Sequence, residues 1–120
     1  MDAVAYFPDK WVLLKLHTMN PEQDDYRIFC SWAGGYLTGD SWRINSGITK
    51  VDKTDDYYDV HSNTGSVYRC LKDYYGTRLY GESVLDQMIR NSPHIDIVVF
   101  NEQDAKQLLD TEEQWTQSQH

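Results

Sequence analysis

The stretch from Asp56 to Lys72 constrains the fold more than any other part of the chain. Its centre, Asn63-Thr64-Gly65, has the chemistry of a three-residue hairpin loop, with glycine where a left-handed backbone is needed. Setting Ser62 opposite Ser66 places Val60 across from Tyr68, Asp59 across from Arg69, Tyr58 across from Cys70 and Asp56 across from Lys72. In this register two acids meet two bases, and Tyr58, Val60, Tyr68 and Cys70 share one face. A slip of one residue would turn that apolar set to the other side of the sheet, so turn, charge and burial all select the same pairing.

Upstream, Val12, Leu14 and Leu16 alternate with Leu13, Lys15 and His17, which predicts a strand over Trp11 to Thr18 with one apolar and one mixed face. A second strand is expected from Tyr26 to Trp32. The intervening Met19 to Asp25 carries Asn20, Pro21 and several acids, the composition of a surface loop, so the two strands should pair as an antiparallel hairpin. A third strand is expected from Ser41 to Val51, bent at Gly47, followed by the polar connection Asp52 to Asp56.

After Asp73 the apolar period changes from two to that of a helix. Val84, Leu85, Met88 and Ile89 form a stripe, Ser83 with Asp86 three residues later reads as the cap, and Asn91-Ser92-Pro93 stops the run. His94 to Phe100 is almost unbroken in apolar character, which predicts a strand buried on both faces. Asn101 and Asp104 repeat the capping pattern ahead of a closing helix whose stripe is Ala105, Leu108 and Leu109. The strand ending at Lys72, the helix and the strand 94–100 together read as a crossover unit whose two strands run parallel in one sheet. The expected fold is α+β: an antiparallel β meander of about five strands, then a helix, a buried strand and a C-terminal helix. The 120 residues hold one core, assigned to 1–115, with a frayed polar tail over 116–120.

Nine Tyr, four Trp and three Phe make the chain too aromatic for disorder, even with a mean hydropathy of -0.68. Nineteen acids against eleven bases give a net charge of -8, which argues against direct nucleic-acid binding and against anionic membranes and favours a basic protein partner. Asp2 stands where a secretory leader has bases, and no apolar run nears the roughly 18 residues of a membrane span, so a cytoplasmic protein is expected. In that compartment Cys30 and Cys70 are expected to be buried, unbridged thiols.

Gly34 to Ser41 has the spacing G-x-x-x-x-G-x-S and in that respect resembles a phosphate-binding loop. Asp40 occupies the position where that loop has its lysine and would repel phosphate, and the following Trp42-Arg43-Ile44 is strand-like, so a long hairpin loop is the expectation. Asp52, Asp55, Asp56 and Asp59, with His61 nearby, form the densest acidic group. Their spacing is wrong for a calcium loop, so they are read as an acidic interaction surface without a metal. Cys70 and His61 fall on opposite faces of the hairpin, which removes the nearest thiol–imidazole pair. With no G-x-S-x-G, H-E-x-x-H or paired C-x-x-C, no catalytic residue and no cofactor are predicted, and an enzyme is not expected.

The crossover reading brings the loop 73–81 and Asn101 to one sheet edge, where open α/β sheets hold ligands. Tyr74, Tyr75, Arg78 and Tyr80 are residue types that bury large area while keeping a polar tip, and with Asn101 they make up the candidate ligand or partner site. Three functional expectations follow. The first is a non-catalytic acidic binding protein, such as an inhibitor, immunity-type factor or phage-encoded antagonist of a basic and nucleic-acid-handling partner. The second is a small-ligand or anion-binding domain, with or without an enzymatic activity, using the edge just described. The third is a structural subunit anchored through Trp115 beyond Glu112.

Overall fold

The computed structural model describes residues 4–17, 25–35 and 39–111, with the backbone alone at 34, 35, 39 and 40. In chain order the strands are β1 (Val4–Tyr6), β2 (Lys10–His17), β3 (Asp25–Gly35), β4 (Gly39–Ile44), β5 (Ile48–Lys53), β6 (Tyr57–Ser62) and β7 (Val67–Leu71). A 3-10 turn (Lys72–Tyr74), α1 (Leu79–Arg90), β8 (Asp96–Val99) and α2 (Glu102–Leu109) complete the described elements. The class is α+β, as expected, and the eight described strands form two mostly antiparallel sheets, β1-β7-β6-β5 and β4-β3-β2-β8.

β2 organises the layers because both of its faces are apolar where it crosses the molecule. Trp11 and Leu13 point into a core shared with Ile28 and Cys30 of β3 and with Ile48, Tyr58, Val60, Tyr68 and Cys70 of the other sheet. Val12 and Leu14 point the opposite way, with Phe29, onto Leu85 of α1. The architecture is therefore sheet on sheet, with α1 covering the outer face of the second sheet and Ala105 and Leu109 of α2 packed into the inter-sheet core. The Trp11 indole donates to the Leu71 carbonyl at 2.7 Å, tying β2 to the end of β7.

The Asp56–Lys72 hairpin has the expected register, with Tyr58 opposite Cys70, Asp59 opposite Arg69 and Val60 opposite Tyr68. The Arg69 guanidinium grips both Asp59 oxygens at 2.9 Å. Gly65 takes a φ of 94° and its amide closes the turn on Ser62. β2 and β3 pair antiparallel, again as expected. The cap of α2 is also as read, the Asn101 side chain accepting from the Asp104 amide at 2.8 Å.

Four expectations are corrected. The single strand 41–51 is two strands in different sheets: the chain turns at Asn45-Ser46-Gly47, Gly47 with a φ of 123°, and crosses from β4 to β5. The strand 94–100 is not buried on both faces; β8 lies at the end of its sheet with Val98 45% and Val99 40% exposed. β7 and β8 do not form a parallel crossover, because β8 joins the second sheet antiparallel to β2. The reason lies at Tyr75-Gly76, where the chain changes layer by bridging to Trp11, the Gly76 amide donating to the Trp11 carbonyl at 2.8 Å. Finally, α1 starts a turn before Ser83, with Arg78 at its N-cap and no side-chain cap. In that first turn Gly81 packs against β3, where a Cβ would meet Phe29 and Ser31 at 3.4 Å. The strand β1, running parallel to β7, is too short to announce itself in the sequence.

Candidate functional site

The splaying of two strands builds the site. The Phe100 amide donates to the Leu13 carbonyl at 3.0 Å, but the Leu13 amide does not return the bond. It donates to the Tyr75 hydroxyl at 3.0 Å, and that hydroxyl donates in turn to the Phe100 carbonyl at 2.6 Å. A phenol thus sits in the β2–β8 ladder, satisfying both backbone groups and holding the loop after β7 against the start of α2. Its ring meets Trp11 edge-on with centroids 4.7 Å apart. Burial, with the Glu102 carboxylate adding to it, pushes the Tyr75 hydroxyl up to about 12 against the opposing pull of the Leu13 amide.

Between α1, the end of β8 and the first turn of α2 this arrangement leaves a cleft of about 450 Å³. Val12, Leu85, Ile89 and Val99 supply its apolar floor, the Phe100 ring turning the other way to stack on Tyr26 in the inter-sheet core, and Glu82, Asp86 and Glu102 stand on its rim. Glu82 and Asp86 are successive turns of α1, so their carboxylates flank the same groove. Among the described residues neither has an ion-pair partner, whereas Glu102 holds Lys106 at 2.7 Å. The cleft therefore offers an apolar seat and two carboxylates that no described cation engages.

The five candidate site residues do not form one constellation. Tyr75 lines the cleft, and Asn101 is engaged in capping α2 beside it. Arg78 and Tyr80 turn instead to a separate crevice of negligible volume against Ser31, Trp32 and Ala33, where Arg78 lies 4.0 Å from Asp9. Tyr74 is exposed in the 3-10 turn. The acidic group is divided as well. Asp52 takes His61 at 3.0 Å and Lys50 at 3.5 Å, Asp59 is held by Arg69, and Asp55 and Asp56 are exposed in the turn between β5 and β6. Among the described residues no group of three or more His, Cys, Asp or Glu is placed to hold a metal ion.

Cys30 and Cys70 are free and fully buried in the inter-sheet core, where burial pushes both thiols up. Of the phosphate-loop spacing, residues 36–38 lie outside the described residues, as do Trp115 and the tail 116–120; the described part continues as strand β4, not as a helix. Glu82, Asp86 and Glu102 were not among the candidates. Glu82 and Asp86 are legible as a four-residue pair beside the stripe of Leu85 and Ile89, but their approach to Glu102 depends on which sheet β8 joins. Among the described residues no helix is long and apolar enough to cross a membrane. No protein-family model, no curated protein and no solved structure matches this chain.

Proposed function

We propose that this chain is a non-catalytic binding protein that engages a basic protein partner through the acid-rimmed cleft between α1 and β8, as an inhibitor, immunity-type factor or antagonist would. The observation that carries the reading is the pair Glu82 and Asp86, without an ion-pair partner among the described residues, standing over Leu85, Ile89 and Val99. A lysine or arginine of the partner would lay its apolar stem on that floor and bring its charge to the carboxylates. The net charge of -8 adds long-range attraction for such a partner, which acts mainly on the rate of encounter. The buried thiols support the non-catalytic half of the reading, because the neutral form of a cysteine is a poor nucleophile.

A second reading is favoured by the cleft's size. Small-molecule sites span roughly 300–1,000 Å³, and this one falls inside that range. The rim disfavours an anion, so the ligand on this reading is a small organic cation. The two readings separate when tagged wild type and the double variant Glu82→Gln/Asp86→Asn are used for affinity capture at low salt from extract of the native cells, with eluates read by intact native mass spectrometry. A stoichiometric basic protein retained by wild type, lost at high salt and depleted on the variant is the expected result. Equal retention by the variant would contradict the proposal, and a bare chain carrying a small-molecule adduct would move the assignment to the second reading.

A further inference from the structure

The four sheet-end strands differ in how they are guarded. β1 has three residues and is followed closely by Pro8; β5 carries Lys50, Asp52 and Lys53; β4 carries Arg43. Charges, proline and short length are the usual protection against unwanted pairing. Past Asp96, β8 is Ile97-Val98-Val99, with no lysine, arginine or proline, and among the described residues no strand lies on its outer side.

Its hydrogen-bond phase is fixed. Since the Phe100 amide bonds to Leu13, Val98 and Asp96 turn their backbone groups toward β2, while Ile97 and Val99 turn N–H and C=O to the open side. The side chains of Ile97 and Val99 lie on the face covered by α1, one in the apolar cluster of Leu85 and the other in the cleft. A strand laid on this edge would have alternate side chains on the same face, beside Glu82 and Asp86.

We infer that the open side of β8 accepts an extended, basic segment of the partner protein as an added fifth strand of the β4-β3-β2-β8 sheet. Main-chain bonds to Ile97 and Val99 hold the segment, and its alternate lysine or arginine side chains reach the carboxylates of the cleft. Charge complementarity selects this occupant over a second copy, since pairing two β8 edges would bring together two chains of net charge -8 and two sets of rim acids. The inference rests on the reading of the cleft as the docking place for a basic partner.

The test uses a blocked peptide of alternating Lys and Val, and the same peptide N-methylated through its centre, which keeps charge and side chains but removes main-chain donors. Binding is followed by amide NMR of the full chain. The expected result is slowed solvent exchange at the Ile97 and Val99 amides with the first peptide, and affinity weakened by about tenfold or more with the second. If the N-methylated peptide binds as well, while Glu82→Gln/Asp86→Asn still weakens both, strand addition is overturned and the acidic cleft stands. If the double variant changes nothing, or neither peptide binds, the cleft reading fails and the inference with it. Concentration-dependent protection of Ile97 and Val99 without peptide would assign the edge to a second copy and overturn the proposal.

Discussion

The Tyr75 hydroxyl takes the bond that the Leu13 amide would otherwise give to the facing strand, and passes it on to the Phe100 carbonyl. One side chain from the loop after β7 is thereby built into the ladder of the other sheet. Tyr75→Phe leaves a backbone donor and a backbone acceptor to find new partners, and the expected loss is about 1–3 kcal/mol in urea unfolding. An unchanged midpoint would mean that β2 and β8 close up without the phenol.

The same hydroxyl gives the fold a sensitivity to base. An unfolded tyrosine ionises near pH 10, and in the folded chain Tyr75 is pushed up to about 12 by burial, so the folded state holds the proton more tightly. Its contribution to stability is complete below about pH 10 and is lost as pH rises toward 12. Tyr58 and Tyr68 are shifted in the same direction by burial. Stability measured across this window should therefore fall for wild type and fall less steeply for Tyr75→Phe.

Gly81 sits in the first turn of α1 beside β3. A Cβ at this position would touch Phe29 and Ser31 at 3.4 Å, an ordinary contact, and its backbone is helical. Gly81→Ala should stabilise by about 0.5–1 kcal/mol through backbone entropy and helix propensity. A lower urea midpoint would show that α1 approaches β3 too tightly to admit a methyl group.

The hairpin register is open to a charge exchange. Asp59→Arg sets two cations opposite each other and should lower the melting temperature, and adding Arg69→Asp should recover most of the loss. Failure of the second change to restore stability would argue that the pair is not directly opposed.

What was legible in the sequence follows the range of the interactions involved. The hairpin 56–72 was readable because its turn, its charges and its apolar face are local and agree. The Asn101 cap and the Ala105–Leu109 stripe were readable for the same reason. The division of residues 41–51 between two sheets was not, because Gly47 serves equally well as a bulge within one strand or a corner between two. The place of β8 was misread for a different reason. Its apolar run is suited to burial, but sheet membership is decided by the bridge of Tyr75-Gly76 to Trp11, a contact across more than half the chain. Tyr75 lines the cleft while Arg78 and Tyr80, at the start of α1, face β3, and the pairing of β8 with β2 brings Glu102 to the cleft that Glu82 and Asp86 rim.

The central claim is that the Glu82 and Asp86 carboxylates over an apolar floor engage a basic partner, and its most direct test is the salt dependence of that affinity. The partner captured on wild type should bind progressively more weakly as sodium chloride rises, and Glu82→Gln/Asp86→Asn should both weaken binding at low salt and flatten the dependence. Equal affinities for wild type and the double variant at every salt concentration would contradict the claim.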